Sequence, residues 1–314
     1  MSGVVVSSSP KGESQPKVAF QGEPGAFSED AVLAFFAAAD PVAVPTWRSI
    51  FEAVRDGSVD AGVCAIENSL AGSIRETYDL LAEFDLHVVG EVSVPVRLAL
   101  LALPGQSMDA IERVYSKSEA LAQADEFLRT RSWQVLTTYN TAGAARSIAE
   151  RREMGAAAVA SPRVATLYGL EILADGIQTG LENRTRFAVL ARGSSIPEPW
   201  RAPLRAEWRA APGRESPPAV ADPPARAALK TTLVFAVRNV PGSLHRCLGA
   251  FAERGINLSR LESRPTRAAR WEYVFWVDLD ADPAEPACAA ALDALRAEAA
   301  MVRILGTYRR AAED

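Results

Sequence analysis

A proline-rich stretch in the second half of the chain divides the sequence into two parts. Eight of the twenty prolines fall between Pro197 and Pro224 of the 314 residues. The surrounding segment, residues 193–229, is also rich in Ala and Arg and shows no sustained apolar period, which is typical of a linker. We therefore expect a flexible tail over residues 1–16, a first domain over 17–192, the linker over 193–229 and a second domain over 230–310.

Before the linker, short apolar runs alternate with helical patterns. Residues 17–21, 61–66 and 156–160 are typical of buried strands, and residues 28–38 have apolar side chains at helical spacing. Strands that alternate with helices predict an α/β fold, with mostly parallel sheets covered on both faces. The number of elements fits two small lobes. Ligands of such folds bind where strand carboxyl ends meet helix amino ends, so we expect a site in the cleft between the lobes.

After the linker the pattern changes to βαββαβ. A strand over 231–237 precedes a helix in which Leu244, Leu248 and Phe251 recur at i, i+4 and i+7, and two strands, a second helix and a last strand over 302–308 follow. This order predicts a small ferredoxin-like module.

Composition excludes several classes of function. A hydrophobic fraction of 48% and a net charge of −5 are those of an ordinary soluble protein, and they argue against a nucleic-acid partner. The longest apolar run, residues 98–103, is too short to span a membrane, and the start lacks the pattern of a signal peptide, which predicts a cytoplasmic protein. Cys64, Cys247 and Cys288 are far apart and predict buried free thiols, and we expect no metal site.

Four segments could carry chemistry, and each also has an ordinary structural explanation. Residues 22–29 combine glycines with Ser28 at a helix start, which is either an anion-binding loop or a capped turn. The second segment, Glu67-Asn68-Ser69, follows a buried strand. Its polar side chains either form part of a site or cap the next helix. Residues 183–187 place a hydroxyl, a guanidinium and a ring together, or they simply begin a strand. Residues 262–265 could bind a ligand or end a strand at the surface.

In this order, the segments closely resemble the bacterial prephenate dehydratase family with a C-terminal ACT domain. The resemblance covers about residues 17–192 and 229–310. It includes these further positions: Glu76–Leu81, Thr141-Ala142, Ala160-Ser161, Tyr168–Leu170, Pro241-Gly242, Gly255–Leu258 and Leu305–Tyr308. It implies a two-lobed, periplasmic-binding-protein-like catalytic domain followed by a ferredoxin-like ACT domain. The family commonly has Pro and His where this chain has Ala65 and Lys117, so the role of the Lys117 loop here is open.

The resemblance also implies a reaction, in which prephenate loses water and carbon dioxide to give phenylpyruvate. Because no redox change occurs, no cofactor is required. By analogy Thr185 donates a hydrogen bond to the leaving hydroxyl, Arg186 binds a carboxylate and Phe187 shapes the apolar side of the pocket. The implied substrate-binding residues are Ser28, Glu67, Asn68, Ser69, Thr141 and Asn183.

The ACT resemblance implies phenylalanine as an allosteric effector and a homodimer or homotetramer. The implied effector-binding residues are Pro241, Gly242, Ser243, Leu244, Asn257, Leu258, Glu262, Ser263, Arg264 and Pro265. Three alternatives remain open from the sequence: an arogenate dehydratase, an anion-binding protein without turnover, and an amino-acid-responsive regulator that has lost catalysis.

Overall fold

The computed structural model describes residues 15–180, 182–201, 229–238, 240–265 and 273–311. Nearly all of the predicted tail and most of the predicted linker lie outside these residues. Within them the chain forms three sheets, one for each of two lobes and one for the C-terminal domain.

Lobe 1 is built mainly from the first third of the chain. Its elements are β1 (Lys17–Gln21), α1 (Phe27–Phe35), β2 (Asp40–Val44), α2 (Trp47–Asp56), β3 (Ala61–Asn68), β4 (Gly72–Ser73), α3 (Arg75–Glu83) and β5 (His87–Pro95). Strand order is β2-β1-β3, followed by a strand that returns from lobe 2 and then by β5. Helix α1 covers one face of this sheet, where Val32 and Phe36 pack, and α2 and α3 cover the other with Ile50 and Leu81.

Lobe 2 is inserted between β5 and that returning strand. Its elements are β6 (Ala99–Ala102), β7 (Arg113–Ser116), α4 (Ser118–Gln123), α5 (Asp125–Leu128), β8 (Gln134–Thr137), α6 (Thr141–Arg151), β9 (Ala156–Ala160), α7 (Arg163–Tyr168) and β10 (Glu171–Asp175). The order is β10-β6-β9-β7-β8. The chain then crosses back as β11 (Arg184–Ala191), which lies between β3 and β5. The predicted two-lobed α/β architecture is confirmed.

The sheets of both lobes are mixed, not mostly parallel as the alternation of elements predicted. Strand β11 runs antiparallel to β3 and β5, and β6 runs antiparallel to β9 and β10. The chain crosses between the lobes twice. A strand that arrives from the other lobe enters its sheet from the opposite end and so runs antiparallel to its neighbours. A local pattern of apolar residues does not record that direction.

The C-terminal domain has the predicted βαββαβ order. It comprises β12 (Leu229–Ala236), α8 (Ser243–Ala252), β13 (Leu258–Pro265), β14 (Tyr273–Leu279), α9 (Pro286–Glu298) and β15 (Met301–Arg309), with strand order β13-β14-β12-β15. Helices α8 and α9 cover one face of the sheet around Phe251 and Leu292. Lobe 1 covers the other face.

Lobe 1 and the C-terminal domain share one apolar cluster. Tyr78 of α3 meets Trp276 of β14 with ring centroids 5.3 Å apart, and Leu305 and Tyr308 join the same cluster. Strands β15 and β5 approach so closely that a Cβ at Gly306 would lie 1.8 Å from the Val88 carbonyl oxygen. A glycine is therefore required there, and the two domains form a continuous structure.

The predicted linker begins later than residue 193. Ile196 is buried in the core of lobe 1, Trp200 packs against the same cluster, and Trp200 O accepts a 2.9 Å hydrogen bond from Ala37 N. Proline content alone suggested a linker, but two large apolar side chains anchor residues 193–201 to the lobe. The three cysteines are free and buried, as predicted. Among the described residues, no helix is long and apolar enough to cross a membrane.

Candidate active site

A β-bulge at the end of β3 decides which side chains face the two sides of the lobe 1 sheet. Val63 and Ala65 pack on the α1 side, and Cys64 and Ile66 pack on the opposite side. Unbroken alternation would turn Glu67 toward α1. The register shifts here, because Arg186 pairs with Glu67 whereas Phe187 pairs with Ala65. The extra residue places Asn68 on the α1 side opposite Thr185, and Glu67 on the far side opposite Arg186.

The Asn68 amide is held in one orientation. Its Oδ1 accepts hydrogen bonds from the backbone N–H groups of Leu70 and Ala71, at 3.0 and 2.9 Å. Nδ2 must then point the other way, where it lies 2.8 Å from Asn183 Oδ1 and 3.0 Å from Thr185 Oγ1. The two backbone donors fix the assignment of oxygen and nitrogen in this buried side chain.

This arrangement leaves the Thr185 hydroxyl hydrogen available. An amide nitrogen cannot accept, so the Asn68–Thr185 bond uses a lone pair of Oγ1, and among the described residues no acceptor takes the hydrogen. Thr185 lies beside Arg184, whose partner in β5 is Pro95, the last residue before the chain crosses to lobe 2. The hydroxyl therefore lies at the junction of the two lobes.

Asn183 adds a second unused donor. It is 2% exposed, and its Oδ1 is occupied by Asn68, whereas its Nδ2 has no hydrogen-bond partner among the described residues. A buried amide without a partner costs on the order of 1–3 kcal/mol, so a bound acceptor would recover free energy here. Phe187, also 2% exposed, lies in the apolar cluster under α1.

The loop over residues 22–26, at the amino end of α1, contacts lobe 2. Helix α1 begins at Phe27, so Ser28 is its second residue and not its cap. The Ser28 hydroxyl donates to Gln21 O instead and fixes the loop against β1. A Cβ at Gly25, which has φ +94°, would lie 2.7 Å from Val164 of α7. Glycine thus allows the loop to touch lobe 2.

Charged and hydroxyl groups bridge the lobes around this loop. Arg146 NH1 lies 2.7 Å from Glu23 Oε2, and Tyr168 donates a 2.8 Å hydrogen bond to Pro24 O. Arg163 of α7 forms an ion pair with Glu29. Its Nε also lies 2.7 Å from Asp30 Oδ1, but at an angle that does not suit a hydrogen bond. Burial raises the pKa of Asp30 to about 6, against the opposing effect of Arg163.

Lobe 2 contributes the amino end of α6. Thr141 is its first residue and is half-buried, and Asn140 caps the helix by accepting from Gly143 N. Thr141 was expected as a site residue from the sequence, whereas the capping role of Asn140 was not. The signal was present, because Asn followed by Thr before an alanine-rich helical run is typical of a helix start. Lys117 precedes α4, and its Nζ lies 3.4 Å from Glu119.

Two expected substrate contacts lie elsewhere. Arg186 faces away from Thr185, toward the C-terminal domain, with NH1 3.8 Å from Glu67 Oε2. Burial opposes its charge, but Glu91, Glu67 and Asp278 together raise the pKa of the guanidinium. Ser69 holds the chain before β11, since its hydroxyl donates to Glu182 O and accepts from Arg184 N, both at 2.9 Å. Arg186 and Glu67 therefore contact each other, and Ser69 contacts the backbone that leads into β11.

The expected effector residues divide into two groups. Gly242, with φ +81°, precedes α8, Ser243 is buried at its first position, Leu244 packs on the domain core, and Pro241 is exposed. Asn257 donates to Asp280 Oδ2 at 2.6 Å, and Leu258 packs on the same core.

The tetrad over residues 262–265 lies within β13. Glu262 accepts from the Ser73 hydroxyl at 2.9 Å, and Arg264 donates to Asp79 Oδ1 at 3.1 Å, so both contact lobe 1, whereas Ser263 and Pro265 are exposed. The sequence pattern predicts a polar strand end at these residues. It could not show that alternate residues of this strand reach across to the first domain.

Comparison with known proteins agrees with this organisation. The family model "Prephenate dehydratase" matches residues 18–195, and the family model "ACT domain" matches residues 231–297. A protein of Arabidopsis thaliana named arogenate dehydratase/prephenate dehydratase 1, chloroplastic, is 36% identical over 310 residues, which cover 94% of this chain and 72% of that protein.

Two solved structures are similar over nearly the whole chain. The prephenate dehydratase of Arthrobacter aurescens in complex with L-Phe has a TM-score of 0.77 and 30% identity, and the match covers 94% of this chain and 90% of that chain. GqqA, described as a novel type of quorum quenching acylase, has a TM-score of 0.78 and 32% identity, with 94% and 98% covered. The relatives thus include plant as well as bacterial proteins. This chain belongs to the prephenate dehydratase family and carries a C-terminal ACT domain.

Proposed function

We propose that this protein converts prephenate to phenylpyruvate by decarboxylative dehydration, under control by phenylalanine. The observation that carries the proposal is the Asn68–Thr185 hydrogen bond, which leaves the Thr185 hydroxyl hydrogen free at the junction of the lobes. Family membership supplies the substrate class, and the site supplies a donor suited to the reaction.

The reaction needs one donor at the departing oxygen. As the bond from the ring to its carboxylate breaks, its electron pair enters the ring and carbon dioxide leaves. The bond from the ring to the hydroxyl breaks at the opposite ring carbon, and the departing oxygen takes up a proton to become water. Thr185 donates a hydrogen bond to that oxygen as negative charge develops on it. Because a threonine is a weak acid, the proton itself comes through a relay from solvent.

The rest of the site suits a small anion with an apolar ring. The unused Nδ2 of Asn183 supplies a second donor, and the amino ends of α1 and α6 supply partial positive charge. Phe187 supports the apolar side from beneath α1. In this proposal Asn68 orients Thr185 and does not contact the substrate.

A rate comparison on two substrates tests the proposal. The full chain is supplied with prephenate or with arogenate, and phenylpyruvate or phenylalanine is measured as product. We expect the larger kcat/KM with prephenate. Arogenate dehydratase is the second candidate, since several plant relatives at 36–38% identity carry that name. A larger kcat/KM with arogenate would assign the chain to that activity. Absence of turnover of both would leave a binding protein or regulator.

Regulation by phenylalanine rests on the ACT match and on the relative that was solved with L-Phe. The effector would contact residues 241–244, 257–258 and 262–265, and would inhibit by binding one arrangement of the domains more tightly than another. Calorimetry with phenylalanine, together with rates measured with and without it, tests this. Neither heat nor a change in rate at millimolar phenylalanine would contradict it.

We also propose a homodimer or homotetramer formed through the ACT domain. Strand β13 is one of the two edge strands of its sheet, and Leu261 on it is 47% exposed. An exposed edge strand with an apolar side chain is suited to association. Light scattering that gives a monomer mass at working concentration would contradict this. The cytoplasmic location predicted from the sequence is likewise a proposal, since several of the plant relatives are named chloroplastic.

A further inference from the structure

The turn that carries Asn68 is held from outside by the ACT domain. Strand β4 pairs back on β3, with Ser73 opposite Glu67 and Gly72 opposite Asn68. Residues 67–73 therefore form a tight turn, and the backbone groups that fix the Asn68 amide lie within it. The orientation of Asn68 depends on the shape of this turn.

Arg260 of β13 contacts both ends of the turn. Its NH1 lies 3.7 Å from Glu67 Oε2, and its NH2 donates to Ser73 Oγ at 3.1 Å. The guanidinium also lies over the Tyr78 ring, 4.7 Å from its centroid. Arg260 has a side chain only 9% exposed and is fixed by these contacts, whereas its partner Glu67 is 34% exposed.

Glu67 lies between two cations, Arg260 from the ACT domain and Arg186 from β11. Both are on the face of the sheet opposite Thr185. A carboxylate pulled to this face keeps the bulge in place, since the bulge is what turns Glu67 outward and Asn68 toward Thr185. Without Arg260, one of the two attractions that hold Glu67 outward is lost, and so is a hydrogen bond to Ser73.

We propose that Arg260 is a positioning residue for the reaction: by holding Glu67 and Ser73 it fixes the bulge and turn that present Asn68 to Thr185. The proposal rests on the dehydratase function proposed above. It gives the ACT domain a part in building the active site, in addition to any effector it binds. A change in the position of β13 would then alter the Thr185 donor through two strands of lobe 1.

The first test compares arginine variants of the full chain. Arg260→Gln keeps a polar side chain without charge, and Arg260→Lys keeps the charge without the planar fork. Arg303→Gln is a matched control, because Arg303 also reaches from the ACT domain to lobe 1, where it donates to Phe84 O at 2.8 Å, at the opposite end of α3 from the turn. We expect Arg260→Gln to lower kcat about 3- to 30-fold with KM nearly unchanged, and Arg260→Lys to recover part of the loss. Arg303→Gln should keep kcat within about twofold of the wild type.

The second test asks whether Arg260 acts through Asn68. In an Asn68→Ala background, Arg260→Gln should produce almost no further loss of kcat, because the group that it positions is gone. Losses that multiply independently would overturn the proposal, as would an Arg260→Gln enzyme that matches Arg303→Gln.

A third measurement does not depend on the reaction. Hydrogen exchange at the Leu70 and Ala71 amides, which donate to Asn68, should be faster in Arg260→Gln than in Arg303→Gln. Equal exchange in the two variants would contradict the link. If the wild type turns over neither prephenate nor arogenate, the proposed function fails, and the exchange experiment still decides whether Arg260 holds the turn.

Discussion

Lobe 1 has two neighbours, and it meets them in different ways. Toward lobe 2 most contacts are ion pairs and hydroxyl groups around one loop, such as Arg146–Glu23 with side chains 41% and 28% exposed, and only a few groups, such as Asp30 and Phe27, are packed more deeply. Toward the ACT domain there is a shared apolar cluster and a buried ion pair, Lys230–Glu91, with both side chains 1% exposed. The ACT domain and lobe 1 therefore pack as one unit, whereas the two lobes meet mainly through polar contacts, several of which are exposed to water. A cleft that must admit a substrate suits the second kind of contact.

The largest expected effect lies at the ACT boundary. Lys230 donates to both carboxylate oxygens of Glu91, at 2.8 and 2.9 Å, and lies 3.9 Å from Asp278. Lys230→Met would leave those buried carboxylates without their nearest cation, and we expect it to lower the free energy of unfolding by about 3–5 kcal/mol. Urea denaturation measures this. The double variant with Glu91→Leu should recover part of the lost stability. A Lys230→Met protein as stable as the wild type would show that this ion pair does not hold the ACT domain to lobe 1.

The next effect lies on the cleft side of the same strands. In Asn68→Asp the carboxylate can still accept from Leu70 N and Ala71 N, but its second oxygen would accept the Thr185 hydrogen. We expect kcat to fall on the order of 10²-fold, because the donor now points away from the substrate.

Asn68→Ala provides the matched control for that prediction. It loses the turn contacts but leaves the Thr185 hydrogen free, so it should be less stable than Asn68→Asp and yet more active. The reverse order of activities would show that Thr185 does not act as the donor.

A smaller effect depends on pH at the boundary between the lobes. Because burial raises the pKa of Asp30 to about 6, above its value of about 3.9 in an unfolded chain, the folded state binds the extra proton. Stability contributed by this group is therefore greatest below pH 4 and falls as the pH rises to 6, by on the order of 1–2 kcal/mol.

Asp30→Asn imitates the protonated carboxyl group and should remove the loss of stability that the wild type shows as the pH rises. The difference in unfolding free energy between variant and wild type should shift in favour of the variant between pH 4.5 and 7.5. Denaturant titrations at both pH values measure it, and a difference that is independent of pH would contradict the raised pKa.

The smallest effect is expected at the exposed bridge between the lobes. Arg146→Gln should change the free energy of unfolding by less than about 1 kcal/mol, since exposed ion pairs contribute little. This variant is also the counterpart of Lys230→Met. If Arg146→Gln destabilised the protein as much as Lys230→Met does, the boundary with lobe 2 would be as tightly held as the boundary with the ACT domain, contrary to what the exposed contacts predict.

Much of the fold could be predicted from local pattern. In the ACT domain the spacing of Leu244, Leu248 and Phe251 was enough to identify α8, because one face of that helix is buried. The same patterns do not predict strands β2, β7 and β10. Each has only four or five residues, and β2 and β10 have no fully buried residue, so they lack the continuous apolar run that identifies a strand.

The site was predictable in part. Asn68, Asn183 and Thr185 were singled out from the sequence, and the structure brings them together. The resemblance assigned Glu67 and Arg186 to the substrate, whereas both side chains lie on the face of the sheet opposite Thr185. A single bulge exchanges the faces of Glu67 and Asn68, and the residue types around Ile66 do not predict it. Arg260 was missed for another reason: its partners lie in the other domain, so only the tertiary structure reveals them.

We propose the Thr185 hydroxyl, oriented by Asn68 on the cleft face, as the hydrogen-bond donor for the reaction. Measuring kcat on prephenate for Thr185→Ser and Thr185→Ala tests it most directly, since only the first retains a hydroxyl. We predict that Thr185→Ser stays within about 10-fold of the wild type and that Thr185→Ala loses at least 10²-fold in kcat with little change in KM. A folded Thr185→Ala protein that turns over like the wild type would contradict the account.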